Sequence, residues 1–335
     1  MLNMVANIPQ LYKIPLAYNL TDSQFRGAVQ IDGSFWANSF VHGSNGHNYH
    51  IATHVMDYGS VIAGSAPVYR SAVFDITNPS HYINFIKEAP EGTSFFDERG
   101  EFHATFDNFG LETLSAENPL AGLHAYCNLE GIEYDLSINF SSPVILNAAL
   151  GSYFISGEFG HEWSLPRGRT SGWLKINGEV IEVDPEQSSS WYDRQWGSMQ
   201  DSFQWLSLHL EESSWLDISV LSVWEWKDAE NGGKEFATIR NPRTGHDSVV
   251  PATVHQSETN IWTSPQSGLV YPQEWTVLID DIEIFVSSPR ADQVIEAPEM
   301  GFPLQFSGYV EVLARKPGHK PVKGYGAIDF LQPFP

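Results

Sequence analysis

Phe203-Gln204-Trp205-Leu206-Ser207-Leu208-His209-Leu210 is followed by a polar break, Glu211 to Ser214, and by a second apolar run from Trp215 to Trp226. An extended chain points successive side chains to opposite faces. Phe203, Trp205, Ser207 and His209 therefore share one face, while Leu206, Leu208 and Leu210 share the other. Both faces are apolar enough to need cover. The two runs read as an antiparallel hairpin with protein, or a ligand cavity, on each side.

Working outward, the same alternation recurs from Ser34–Val41 and Tyr49–Val55 through Ile132–Phe140 to Phe306–Leu313 and Lys323–Phe330. Gly, Pro, Asn, Asp or Ser separate the runs, and long amphipathic helical windows are lacking. Asn177-Gly178 and Asn231-Gly232-Gly233 are strong hairpin signals. So many short, punctuated strands predict an all-β chain of barrels or sandwiches, not an α/β sheet. The polar stretch Asp184-Pro185-Glu186-Gln187-Ser188-Ser189 is the expected junction, dividing the chain into domains 1–184 and 185–335. Gly324-Tyr325-Gly326 is a weak fragment of a dinucleotide fingerprint, and its structural reading is a pair of glycines that let a barrel strand bend.

Composition narrows the function. The 335 residues carry 18 Lys and Arg against 41 Asp and Glu, a net charge of −23, so the basic footprint that nucleic acid or an anionic membrane needs is missing. With 42% hydrophobic and only 18% charged residues, the chain can bury enough apolar surface to offset its ordering entropy. Cys127 is the one cysteine, which excludes an intrachain disulfide and a cysteine zinc cage. Met1 to Leu20 lacks a basic n-region, and the longest apolar stretch, Val144 to Leu150, falls far short of the roughly 20 residues of a membrane helix. A cytoplasmic protein without membrane insertion is expected. Phosphate-cradling and serine-elbow motifs are missing too.

The histidines His42, His47, His50 and His54 invite a metal reading. On a strand, however, His50 and His54 share a face about 13 Å apart, too far to chelate one ion. Satisfied or solvent-facing histidines are the expectation, with no metal.

The densest constellation is Ser190-Trp191-Tyr192-Asp193-Arg194-Gln195-Trp196-Gly197. One reading sees a carboxyl and a guanidinium among aromatic walls, the first exchanging a proton and the second binding a carbonyl or enolate oxygen. The other sees Asp193 and Arg194 as a buried ion pair, or bonded to backbone groups, with tryptophans capping a core. The wider tryptophan set, including Trp36, Trp205 and Trp224, exceeds what a plain sandwich requires and suits a pocket for a large apolar ligand.

The Trp191-Tyr192-Asp193-Arg194-Gln195-Trp196-Gly197 segment, the aromatic strand Phe203–Leu208 after it, Ser34-Phe35-Trp36 with Tyr49 and His50 upstream, and Tyr309-Val310-Glu311 with Gly324-Tyr325-Gly326 downstream resemble the lipocalin-like hydroxyneurosporene synthase and kievitone hydratase superfamily. That superfamily includes fungal Diels-Alderases of secondary metabolism, to which this chain is similar in type. The resemblance spans nearly the whole chain. It implies two packed lipocalin-like domains, an N-terminal sandwich and a C-terminal barrel, with a pocket and no cofactor. It implies a cyclase performing a Diels-Alder or hetero-Diels-Alder reaction on an apolar polyene or quinone methide. The alternatives are a hydratase of a prenyl alkene and a non-catalytic carrier. On this reading Asp193, Arg194, Gln195 and His209 supply polar catalytic contacts, and Trp36, Trp191, Tyr192, Trp196, Trp205 and Trp224 hold the substrate.

Overall fold

A computed structural model describes residues 18–24, 33–57, 66–90, 93–106, 108–155, 158–198, 202–226, 233–297 and 305–332. These residues form strands almost throughout, with two single-turn 3-10 helices, Asp22–Gln24 and Asn147–Ala149. The all-β expectation holds, and the strands make two curled, barrel-like sheets. Contacts divide the chain into two compact units, residues 1–144 with 160–197 and residues 145–159 with 198–335. The Asp184–Ser189 stretch falls inside the first unit, where the Asp184 N–H donates to His42 O at 2.8 Å and the His42 N–H donates to Ser188 Oγ at 2.9 Å.

In the first unit the strand that carries the constellation, Ser189–Gly197, pairs antiparallel with Gly33–His42 on one side and with Glu158–Ile176 on the other. Beyond Gly33–His42 come Asn48–Asp57, Val68–Asp75 and Tyr82–Glu88. Being central, Ser189–Gly197 is buried at seven consecutive positions. Sequence alternation exposes only the last part of Glu158–Ile176, because Pro166 and Gly168 interrupt the run. The ladder slips between Leu165 and Gly168, as expected where proline offers no N–H. One side of the sheet packs on a phenylalanine core, in which Phe35 stacks on Phe102 at 4.1 Å and Phe106 on Phe109 at 5.8 Å.

In the second unit Phe203–Leu210 lies between Val220–Trp226 and Val322–Leu331. The return strand begins at Val220 instead of Trp215. Residues 211–219 are irregular, and their alternation reflects Leu216 and Ile218 dropping into the core as loop residues. Leu206, Leu208, Leu221, Val223 and Ile328 form the apolar side of this sheet, each fully buried. Gly324 and Gly326 sit where a Cβ would come within 2.1 Å of His209 O and Ser207 O, so close strand approach, the structural reading, accounts for both. Asn231 and Gly232 of the expected turn lie outside the described residues. No helix among the described residues is long and apolar enough to cross a membrane. Cys127 is buried and free, and burial pushes its thiol up to about 12.

Candidate active site

The alternation of an extended chain splits the constellation. Trp191, Asp193 and Gln195 leave Ser189–Gly197 on one face, and Tyr192, Arg194 and Trp196 on the other. Asp193 and Arg194 are neighbours in sequence and therefore cannot share a face. In place of the ion pair that one reading allowed there are two separate environments, and Arg194 bonds to backbone carbonyls, the other arrangement that reading allowed.

On the Asp193 face the registers align one residue from each of five strands into a transverse row: Ser164, Asp193, Trp36, His54 and Arg70. All five are buried. A parallel row carries Glu162, Gln195 and Ser34. The Ser164 hydroxyl donates to Asp193 Oδ1 at 2.5 Å, and Glu162 hydrogen-bonds the same carboxyl. Two carboxyl groups can bond to each other only if they hold a proton between them. Burial pushes Asp193 up to about 7, and the hydrogen bonds from Ser164, Glu162 and Trp191 and the charge of Arg194 only partly oppose it. An acid of this kind is poised to give and take a proton near neutrality.

Further along the row, Arg70 Nε donates to His54 Nδ1 at 2.8 Å. Arginine has no acceptor, so His54 carries its proton on Nε2 and donates it to Ser34 Oγ at 2.5 Å. Burial, then the Arg70 charge, holds His54 well below the usual histidine range. The imidazole is therefore neutral, and the chain Arg70, His54, Ser34 orients a hydroxyl beside Gln195. Trp36 stacks on His54 at 5.4 Å with the Arg70 guanidinium over its ring. His50, two residues along the same face from Ala52, hydrogen-bonds Asn38 Oδ1 at 2.8 Å. Burial first, then Arg70, lowers it to about 3.

The opposite face is a clasp. Arg194 lies over Phe35 at 4.0 Å and Trp196 at 4.9 Å, and donates to Gln195 O and Ser23 O at 2.6 and 3.2 Å. Tyr192 donates its hydroxyl to Gln24 Oε1 at 2.9 Å, and Trp163 Nε1 donates to Ser23 Oγ at 2.7 Å. Tyr18 meets Trp196 edge-on at 4.7 Å. Tyr192, Arg194 and Trp196 thus hold the segment around the Asp22–Gln24 turn.

The remaining sequence candidates lie in the second unit. Trp205 faces Trp224 across the ladder with ring centroids 6.2 Å apart and donates its indole N–H to Ser222 Oγ at 2.8 Å. His209 meets Tyr325 edge-on at 5.0 Å. All three residues are buried on the face away from the leucine core. Of the histidine cluster, His42 bonds Asn48 and His47 bonds Asp75, and no three His, Cys, Asp or Glu side chains group as metal ligands among the described residues. A cavity of about 370 Å³ in the first unit, which His47 lines, and another of about 240 Å³ in the second are lined by none of the catalytic or substrate-binding candidates.

Glu162, Ser164, Ser34 and Arg70 were not legible as site residues. Only strand register brings them to Asp193, and the strand bearing Glu162 and Ser164 was itself hidden.

The AttH-like family model matches residues 65–328. Kievitone hydratase of Fusarium solani subsp. phaseoli is 29% identical over 330 residues, spanning 95% of this chain and 87% of its own length. The dehydratase asqC of Emericella nidulans is 25% identical over 327 residues, spanning 95% and 89%. Among solved structures, kievitone hydratase from Nectria haematococca shares the fold, with a TM-score of 0.81 at 24% identity over 95% of this chain and 94% of that one.

Proposed function

The chain belongs to the AttH-like family, and from that premise we propose that it adds water to, or removes it from, a carbon–carbon double bond of an apolar metabolite, with Asp193 exchanging the proton. One observation carries this reading: the Asp193 carboxyl is buried against Ser164 and a second carboxyl, Glu162, and is held near neutrality in its proton affinity. Hydration needs an acid that still holds its proton at working pH, and dehydration needs the same group to protonate a leaving hydroxyl. Trp36, opposite Asp193 in the ladder, offers a ring face to the positive charge that develops on protonating an alkene. The hydroxyl of Ser34, fixed by His54 and Arg70, supports the placement of the water or hydroxyl that is added or lost. A hydratase and a dehydratase among the relatives fit one reversible chemistry.

A second reading, cycloaddition of a polyene, draws support from the indole faces of Trp36 and Trp191 beside Asp193 and of Trp205 and Trp224 in the second unit. Preorganisation would then dominate the rate and proton transfer would be secondary.

Oxygen labelling separates the two. Incubated with kievitone and related prenylated alkenes in labelled water, an acid–base hydratase places the label in the product, and Asp193→Asn and Glu162→Gln lose about 10²- to 10⁴-fold in rate with the fold intact. A product without label, formed equally fast by both variants, rejects hydration in favour of cyclisation.

A further inference from the structure

The acid–base chemistry proposed for Asp193 leaves one cavity of the second unit unexplained. Gln204 opens the core-facing row of Phe203–Leu210, ahead of Leu206, Leu208 and Leu210. It is only 1% exposed, yet neither the nitrogen nor the oxygen of its amide has a hydrogen-bond partner among the described residues. Buried polar groups are almost always paired, so an amide idle at both ends calls for an explanation.

Gln204 also lines the cavity of about 240 Å³, together with Glu225, Trp226, Gln256, Val270 and Phe330. Glu225 and Phe330 stand opposite Gln204 on the two neighbouring strands, and Phe330 belongs to the apolar core of this sheet. The end of the barrel-like sheet therefore forms a small recess with aromatic walls and, at its side, one donor next to one acceptor.

We infer that this recess is a second ligand site, in which Gln204 pairs edge to edge with a neutral lactam or carboxamide. Such a group presents an acceptor beside a donor at the spacing of an amide, the complement of what Gln204 offers. A carboxylate brings two acceptors and no donor, and it would approach Glu225 in a chain of net charge −23. A ketone satisfies the nitrogen of Gln204 and leaves the oxygen idle. The volume admits a small ring or chain end, with Trp226 and Phe330 covering its apolar part.

Ligand-observed NMR of the full chain with 2-pyrrolidinone and its N-methyl derivative tests the site. Saturable binding of 2-pyrrolidinone is expected, weakened about tenfold by N-methylation, the effect of one lost hydrogen bond. Gln204→Met should erase the difference between the two probes and melt at or above the wild-type temperature, since it removes an unpaired buried amide. Gln204→Glu, which keeps the shape and loses the donor, should likewise lose the lactam preference. Equal binding of the two probes, binding undisturbed in both variants, or no saturable binding at all overturns the inference. A Gln204→Met protein that melts several degrees lower also overturns it, because the amide would then be satisfied within the fold.

Discussion

The two faces of the Ser189–Gly197 strand share a backbone and near-complete burial, but their charged groups are buried on different terms. Arg194 directs its hydrogen bonds at the carbonyls of Gln195 and Ser23 and its flat surface at Phe35 and Trp196. None of those partners can change protonation. Asp193 faces a hydroxyl and a second carboxyl, a set in which a proton can move. Arg194 reaches the acid only through its charge, which lowers the pKa of Asp193; its contacts are architecture. A buried acid whose partner is another acid is a proton reservoir.

Exchanging the charged group on each face should give the largest effects, in opposite measurements. Asp193→Asn should lower turnover by about 10²- to 10⁴-fold with a melting temperature close to that of the parent. Arg194→Met should lose about 2–4 kcal/mol of stability, since it strands two buried carbonyls and alters the stacking on Phe35. Its turnover per folded molecule should stay within about tenfold of the parent. Urea unfolding and initial rates on the same preparations read both quantities. A folded Arg194→Met protein without activity breaks the division between the faces.

The same division explains what the sequence could and could not reveal. Phe203–Leu210 is buried at all eight positions too, and it was legible because the polar break Glu211 to Ser214 bounds a short run that a second apolar run follows, although the return strand begins only at Val220. Seven consecutive buried positions in Ser189–Gly197 left no hydrophobic alternation, because that signal exists only where one face meets water. The segment therefore read as a cluster of chemistry in which Asp193 and Arg194 stood together, though a strand separates them. Glu162 and Ser164 reach Asp193 from about thirty residues away in sequence through a ladder that Pro166 and Gly168 obscure. Residue types can name an acid, but pairing it with its neighbours takes register, which single-chain periodicity does not encode.

Acidity offers the next sharpest contrast. The folded-state pKa of Asp193 is raised to about 7, against about 3.9 in an unfolded chain. Between those values the native state holds a proton that the unfolded state has released. This contribution to stability is present at low pH and lost as pH rises through 7, at no more than about 1.4 kcal/mol per pH unit. His50 and His54 act in the opposite sense. Their folded pKa values are lowered, so below about 6.5 the unfolded chain takes up protons that the native state refuses, and stability falls with acid. His161 is lowered by burial as well, whereas Asp247 and His124 are raised; the two fully buried histidines dominate this window, and the wild type should therefore weaken from pH 6.5 towards 5. Asp193→Asn should steepen that decline by removing one of the groups that oppose it, beside Asp247 and His124, and His50→Gln should flatten it. Urea midpoints at pH 5, 6 and 7 would show the order, and a decline unchanged in Asp193→Asn would mean that the carboxyl is already ionised in the native state.

The smallest and most diagnostic contrast removes one hydroxyl from each face. Tyr192→Phe deletes the donor to Gln24 Oε1 and should cost about 1 kcal/mol without moving the pH profile of turnover. Ser164→Ala deletes the donor to Asp193 Oδ1, a hydrogen bond that lowers the pKa of the acid. Without it Asp193 holds its proton to higher pH, so the alkaline limb of a reaction that needs the protonated acid should shift upward. The two substitutions are alike in chemistry and burial. A profile displaced by Ser164→Ala and fixed in Tyr192→Phe locates proton transfer on one side of a single strand, whereas displacement by both would mean that the clasp around Ser23 and Gln24 also sets the environment of the acid.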